Sequence, residues 1–285
     1  MGLDASVMCD CLKRRLTSEP PVPREWLVID DEGQIAIAPE HDSPGTGGDV
    51  YHWMEDCCDH PGMRYASEGI ANWTGYRLFQ QAMAEVGWEN FPVLHQELPE
   101  VNGGRTEASA SALALEELAA FRKVGRIGSN TWLVDTTTGE VNRESVAAYE
   151  GVFIMSSSGL EAGFDSDGFF IRTSEDGLEL FRAIRFQQTS LDPDAEPDES
   201  EQGRFLYVDL GSGREFECRF AVPGAMIPWP DGRMQDDRGR LRTHYPARLH
   251  VEERSVYSSH FEYILGPLER IFRASVEMGN PVRWE

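Results

Sequence analysis

The chain has 285 residues, of which 40% are hydrophobic and 10% aromatic. That composition is typical of a folded globular protein, and the aromatic content excludes a predominantly disordered chain. The 49 acidic residues outnumber the 26 lysines and arginines, which gives a formal net charge of −23. Because such a charge repels phosphates and anionic lipid headgroups, direct binding to nucleic acid or to a membrane surface is not expected.

The sequence shows neither a secretory signal nor an apolar run long enough to span a membrane. Its five cysteines are an odd number without a signal, which favours reduced thiols over a disulfide framework. We therefore expect a soluble cytoplasmic protein. The acidity has two explanations: it serves solubility alone, or it shapes a surface that covers a basic protein partner.

The first predicted element is a hairpin, in which strands at 26–29 and 34–37 flank the turn Asp30-Asp31-Glu32-Gly33. A helix is predicted over 66–86, with Ser67 as its N-cap, because apolar residues recur there at three- and four-residue spacing. These apolar residues are Ile70, Trp73, Tyr76, Leu78, Phe79 and Met83. Glu68 and Asn72 would then share a helical face, as decoration or as a proton-handling pair.

A second helix is predicted over 107–123, between Thr106 and Gly125. From about 129 to 250 the pattern turns to strands, with three further hairpins and an exposed acidic loop at 190–203. The paired segments are 132–134 with 140–141, 169–171 with 178–181, and 205–208 with 215–218. An apolar stripe over 258–278 predicts a C-terminal helix, kinked or restarted at Gly266-Pro267 and ended by Gly279.

These elements predict an α+β fold, in which an antiparallel sheet of successive hairpins follows a helix-rich N-terminal half and precedes a C-terminal packing helix. The predicted division is a helix-rich part at 1–125, which carries the cysteine clusters, and an antiparallel β part at 126–285. The alternative is that the two parts form one continuous domain.

Two short clusters contain four of the five cysteines, Cys9-Asp10-Cys11 and Cys57-Cys58-Asp59-His60. A tetrahedral zinc site needs four such ligands, and Cys9 and Cys11 with Cys57 or Cys58 and His60 form one complete set. The two aspartates could accept hydrogen bonds around it. Cysteines also pack as small apolar residues, and the spacings differ from the usual C-x-x-C pairs, so packing alone and a redox role stay open. Cys218, in a predicted strand, is expected in the core.

The second candidate site is an arginine-rich stretch at 232–250. Guanidinium groups bind carboxylates and phosphates in a bidentate geometry, so the stretch could line an anion-binding cleft. Its candidate residues are Arg233, Arg238, Arg240, Arg242 and His244. The alternative, which we favour, is that these arginines pair with the surplus acids of the same chain.

The opening Met1-Gly2-Leu3-Asp4-Ala5, with Cys9-Asp10-Cys11 and Glu19-Pro20-Pro21, resembles a group of uncharacterised bacterial proteins that begin in nearly the same way. The similarity extends to residues 57–72. It implies a bacterial cytosolic origin and makes the cysteine cluster a feature of the group. No activity is attached to that group, so the resemblance implies no reaction and no catalytic residue.

No P-loop, dinucleotide fingerprint, H-E-x-x-H or G-x-S-x-G motif is present, so the common nucleotide, metalloprotease and hydrolase signatures are excluded. The favoured hypothesis is an acidic cytosolic binding protein, of the inhibitor or immunity type, with or without a stabilising zinc-type site. The alternative is a metal-dependent enzyme that combines the Cys/His cluster with an arginine-lined cleft for an anionic substrate.

Overall fold

The computed structural model describes residues 2–29, 35–43, 45–156, 158–191, 203–229, 231–235, 237, 239 and 241–285. The turn predicted at 30–33 and most of the acidic loop predicted at 190–203 therefore lie outside the described residues.

Eighteen strands are present in the described part of the chain. They are β1 (Gly2–Met8), β2 (Leu27–Ile29), β3 (Ile35–Ile37), β4 (Arg64–Asn72), β5 (Arg105–Thr106), β6 (Arg126–Asp135), β7 (Val141–Glu144), β8 (Val152–Met155), β9 (Leu160–Asp165), β10 (Gly168–Thr173), β11 (Glu179–Ala183), β12 (Arg185–Ser190), β13 (Phe205–Asp209), β14 (Glu215–Cys218), β15 (Met226–Ile227), β16 (Arg242–Thr243), β17 (Arg248–Tyr257) and β18 (Val282–Trp284).

The described helices fall almost entirely in the first and last parts of the chain. The α-helices are α1 (Thr46–Asp56), α2 (Trp73–Val86), α3 (Pro92–Glu97), α4 (Ala108–Lys123) and α5 (Glu262–Met278). Short 3₁₀ turns occupy Arg24–Trp26, Pro61–Met63, Trp88–Asn90, Ala147–Tyr149 and Ser258–Phe261. None of the described helices is long and apolar enough to cross a membrane.

The chain divides into two compact units. The first unit comprises Met1–Gly128 and Tyr257–Glu285, and the second comprises Ser129–Val256. The C-terminal helix α5 thus belongs with the N-terminal segment, whereas the sequence grouped it with the β part at 126–285.

The first unit is built on an antiparallel sheet of order β4-β1-β18-β5. The two ends of the chain are adjacent in this sheet, because Ala5 pairs with Trp284 and the backbones of Asp4 and Glu285 exchange hydrogen bonds of 3.0 and 2.8 Å. On its other side β1 pairs with β4 from Gly2↔Asn72 to Met8↔Arg64.

Helices α2, α4 and α5 pack their apolar faces together in this unit. The ring of Phe121 on α4 lies edge-on to Phe79 of α2, with ring centroids 5.4 Å apart, and 6.1 Å from Phe261. The predicted apolar stripe of the C-terminal helix is buried at Ile264, Leu265, Leu268, Ile271 and Phe272. Pro267 lies inside one continuous helix, and Gly279 ends it in a left-handed conformation (φ 65°).

The predicted helix over 66–86 is correct only from Trp73 onward. Residues 64–72 form strand β4 instead, because β1 offers them a complete antiparallel partner. The helix begins at Trp73, where the side chain of Asn72 accepts a hydrogen bond of 2.8 Å from the backbone N–H of Gly75. Glu68 therefore lies on a strand and pairs with Arg270 at 2.7 and 2.8 Å, so the proposed Glu68/Asn72 helical face does not exist.

The second unit contains a six-stranded sheet of order β14-β13-β12-β17-β6-β7, a four-stranded sheet of order β11-β10-β9-β8, and the pair β15-β16. Its core includes a stack of aromatic rings: Phe169 lies 4.3 Å from Phe186 and 5.6 Å from Tyr207, measured between ring centroids. All four predicted hairpins are confirmed, as β2–β3, β6–β7, β10–β11 and β13–β14.

The predicted overall architecture is nevertheless wrong. The described strands form five antiparallel sheets rather than one, and the N-terminal half is built on strands rather than being a helix-rich part. Strands β1, β4 and β5 were missed because their pairing partner is the chain's own C-terminal strand or a segment some sixty residues away, which local patterns do not reveal.

Gln188 joins three backbone groups in the core of the second unit. Its side-chain nitrogen donates to the carbonyls of Val222 (3.0 Å) and Pro246 (2.7 Å), and its oxygen accepts from the Val222 N–H (2.8 Å). We expect Gln188→Met to lower the free energy of unfolding by about 2–4 kcal/mol, because it leaves these groups buried without partners. Urea denaturation followed by circular dichroism measures this change.

Gln187→Met is the matched control, since the neighbouring side chain makes an exposed hydrogen bond to Thr189. This substitution should change the free energy of unfolding by no more than about 0.5 kcal/mol. Equal losses in the two variants would contradict the role given to Gln188.

Candidate metal centre

The two cysteine clusters lie at the same end of the β1–β4 ladder. Cys9 directly follows the last residue of β1, and His60 precedes the first residue of β4 by four positions. Beyond the last ladder pair, Met8↔Arg64, the backbone N–H of Cys9 donates to the carbonyl of Met63 at 2.8 Å. Antiparallel pairing therefore brings together segments that are about fifty residues apart in sequence.

The ligand pairs share one spacing, with one residue between Cys9 and Cys11 and one between Cys58 and His60. His60 has extended dihedral angles (φ −105°, ψ 108°), whereas Cys57 still has helical ones (φ −73°, ψ −15°) as the C-cap of α1. Cys57 therefore lies at the end of α1, and Cys58 and His60 follow it in the bend that leads towards β4.

The side chains of Cys9, Cys11, Cys58 and His60 form a cluster whose potential ligand atoms all lie within 4.8 Å of one another. The Sγ atoms of Cys9 and Cys58 are 3.8 Å apart, and Sγ of Cys11 is 3.4 Å from Nδ1 of His60. A tetrahedron with metal–sulfur bonds of about 2.3 Å and a metal–nitrogen bond of about 2.0 Å has edges of roughly 3.5–3.8 Å. The cluster is close enough to bind a metal ion.

Burial differs among the four ligands. Cys9 and Cys11 are 6% and 5% exposed, while Cys58 and His60 are half-buried. Burial raises the pKa of Cys9 to about 12 and raises the pKa of Cys11 as well. These thiols are thus neutral without a cation, and a bound metal would supply the positive charge that stabilises them as thiolates.

Cys57 lies outside the four-residue group. It is 4% exposed, its Sγ is 3.8 Å from the carbonyl oxygen of Met54, and burial raises its pKa to about 12. It packs with Met8 and Met63 in a small apolar cluster beside the ligands. The aspartates between the ligands are not in the group either: Asp10 faces Arg14 at 3.7 Å, and Asp59 is exposed.

The space next to the cluster is small. A cavity of about 30 Å³ borders Cys9 and is lined mainly by apolar residues such as Met8, Leu12 and Ile35. That volume accommodates about one water molecule. The cavity is therefore too small for an organic substrate.

The candidate residues of the predicted arginine-rich site are not gathered into a cleft as far as the structure describes them. Arg238 and Arg240 lie outside the described residues, and Arg233 pairs with Asp231 at 2.7 Å and with Asp237 at 2.6 Å. Arg242 and His244 are exposed in the second unit, whereas the metal-ligand cluster lies in the first. The internal pairing that we favoured is thus observed for Arg233.

Comparison with known proteins gives no match: no family model, no curated protein and no solved structure is significantly similar to this chain. The fold and the site therefore define its class by themselves. It is a mostly antiparallel protein with a Cys3His cluster that could hold a metal ion.

Cys218, the fifth cysteine, lies in the core of the second unit as expected, at the end of β14 and 7% exposed. Burial raises its pKa to about 11, while its Sγ donates to the carbonyl of Phe220 at 3.2 Å. An unfolded thiol loses its proton near pH 9, so the folded state binds this proton more tightly.

We expect stability to fall between about pH 9 and about pH 11, the window set by this pKa shift. Cys218 alone should contribute about 2–3 kcal/mol to this loss, because each pKa unit corresponds to roughly 1.4 kcal/mol. Urea denaturation of the wild type and of Cys218→Ala at pH 8 and pH 11 measures it. The difference in the free energy of unfolding between the two proteins should be smaller at pH 11 than at pH 8. An unchanged difference would contradict the raised pKa of Cys218.

Proposed function

We propose that Cys9, Cys11, Cys58 and His60 hold one zinc ion in a closed, structural tetrahedral centre of an acidic binding protein. The observation that carries this proposal is the pair of ligand separations, 3.8 Å between two sulfurs and 3.4 Å between a sulfur and a nitrogen. Three thiolates and one imidazole are a soft and borderline set that suits zinc better than calcium or magnesium.

A structural role is favoured over a catalytic one by the number of ligands. Catalytic zinc sites keep three protein ligands and leave the fourth position to water, whereas four protein ligands fill a tetrahedron. The cavity of about 30 Å³ that borders Cys9 is too small for an organic substrate. The metal-dependent enzyme, which needs an open position for water, is therefore the weaker hypothesis.

The metal would stabilise a segment with little secondary structure. Between β1 and β4 the described chain forms one α-helix of 11 residues, two three-residue strands and short turns. Its described apolar residues include two small clusters, one around Cys9 and Met63 and one around Val22 and Val50. Segments with so small a core commonly depend on a metal or a disulfide for their stability.

The first test is elemental analysis of protein purified without an affinity metal. We expect about one zinc ion per chain in the wild type and a loss of most of it in Cys11→Ser and in His60→Ala. Cys57→Ser is the matched control, because Cys57 adjoins a ligand but lies outside the cluster, and it should keep its zinc. A wild type without stoichiometric metal would contradict the proposal.

X-ray absorption separates the structural centre from a catalytic one. We expect three sulfur neighbours near 2.3 Å, one nitrogen near 2.0 Å and no oxygen. Removal of the metal with a chelator should lower the thermal midpoint of the first unit by roughly 10 °C, as expected for a loss of several kcal/mol. An oxygen ligand, with unchanged stability after chelation, would favour the enzyme instead.

The second part of the proposal is that the protein binds a basic protein, as an inhibitor or immunity protein does. It is supported by the net charge of −23 and by the exclusion of phosphate-bearing partners on electrostatic grounds. Complementary charge accelerates association and makes binding sensitive to salt.

We therefore expect a pull-down from the native host to yield a basic partner at physiological salt, released when the salt is raised to about 0.5 M. An unrelated protein of equal net charge serves as the control bait and should not retain that partner. Loss of all partner binding at physiological salt would contradict this part and leave the zinc centre untouched.

A further inference from the structure

A second polar site lies wholly within the second unit, in a cavity of about 220 Å³. This volume is below the roughly 300–1,000 Å³ of pockets for drug-sized ligands, so it suits a small metabolite. Gly224, Ala225 and Pro246 line part of it, and the polar residues that border it are Asp135, Thr138, Glu140, Asn142, Arg143 and His244.

Arg143 contributes a guanidinium group to the lining of this cavity. On β7 it pairs with Leu133, a fully buried core residue, so both side chains lie on the inner face of the sheet. Its Nη1 donates to the carbonyl of Asn142 at 2.7 Å, and no carboxylate among the described residues lies within ion-pairing distance. Burial lowers the pKa of this guanidinium, which reflects the cost of removing it from water.

Asn142 presents an unsatisfied acceptor. Its side-chain nitrogen donates to the carbonyl of Pro223 at 3.0 Å, which fixes the orientation of the amide. Its Oδ1 is buried and has no hydrogen-bond partner. Because a buried oxygen without a donor is costly, a ligand that supplies an N–H or O–H group would stabilise this residue.

Two acidic side chains complete the arrangement. Asp135 is 7% exposed and accepts hydrogen bonds from the backbone N–H groups of Thr137 (2.7 Å) and Thr138 (3.4 Å), while Glu140 is exposed at the rim. A simple anion at Arg143 would be repelled by these carboxylates. A ligand with a positive group next to its anionic group would be attracted by both.

We propose that this cavity binds a small zwitterion of the α-amino acid class. Its carboxylate pairs with the guanidinium of Arg143, and its ammonium group donates to Oδ1 of Asn142 and faces Asp135 and Glu140. The site is independent of the zinc centre, and it places anion recognition at Arg143 rather than at the exposed arginines of the 232–250 stretch.

Isothermal titration at constant ionic strength tests this proposal with three probes: L-alanine, acetate and methylammonium. We expect saturable binding of L-alanine. Acetate and methylammonium, which each carry only one of its two charged groups, should bind with an affinity at least about tenfold lower, since a charge-assisted hydrogen bond is worth a factor of that order. Acetate as strong as L-alanine would overturn the zwitterion, and no saturable binding of L-alanine at tens of millimolar would overturn the site.

Arg143→Met removes the charge and keeps the apolar stem, and it should weaken L-alanine binding at least about tenfold. Without ligand its thermal midpoint should not fall, because an unpaired half-buried charge has been removed. Arg242→Gln, an exposed arginine of the same unit, is the matched control and should bind within about twofold of the wild type.

If Arg143→Met does not fold, Arg143→Lys decides: it keeps the charge without the planar fork and should bind with intermediate affinity. Unchanged binding in the Arg143 variants would overturn the proposal.

Discussion

The antiparallel pairing of β1 with β4 is the constraint on which the first unit depends. It places Cys9 and Cys11, which leave β1, beside Cys58 and His60, which lead into β4. On its other side β1 pairs with the C-terminal strand β18, and Ser6 Oγ donates to the Glu285 carboxylate at 2.6 Å. The two chain ends and the ligand cluster are thus positioned by one central strand.

The first unit combines two kinds of stabilisation. Helices α2, α4 and α5 bury aromatic and aliphatic side chains, which contribute in proportion to their apolar area. Two small apolar clusters lie in the described segment between β1 and β4, and they are joined through Ile35, Trp53 and Met54. A metal ion would bind four side chains at once there, which reduces the conformational freedom of the unfolded segment more than any single contact does.

Polar groups in the second unit divide into satisfied and unsatisfied ones. Gln188, 4% exposed, has all its hydrogen-bonding atoms paired with backbone groups, so it specifies the packing of the strands around it. Asn142 and Arg143 lie at the β6–β7 register shift, where a bulge changes which side chains face inward. Unsatisfied groups concentrated beside a cavity are expected at binding sites rather than in structural cores.

Local patterns in the sequence determined the elements whose partners are close in the chain. The four hairpins, helix α4 and the apolar face of α5 were predictable, because turn residues and helical periodicity act over a few positions. The metal-capable residue types were also evident, and the spacing of Cys58 and His60 already matched that of Cys9 and Cys11. The sequence did not distinguish Cys57 from Cys58, since that depends on where helix α1 ends.

Tertiary structure alone decided the rest. Residues 66–72 were predicted as the start of the helix over 66–86 and instead belong to strand β4, because β1 supplies a ladder of hydrogen bonds that no local interaction matches. The same long-range pairing assembles the ligand cluster, and the register of β7 against β6 turns Arg143 inward. Contacts between residues far apart in the chain leave no local periodicity, so the sequence determined which chemistry was available and the fold decided where it was assembled.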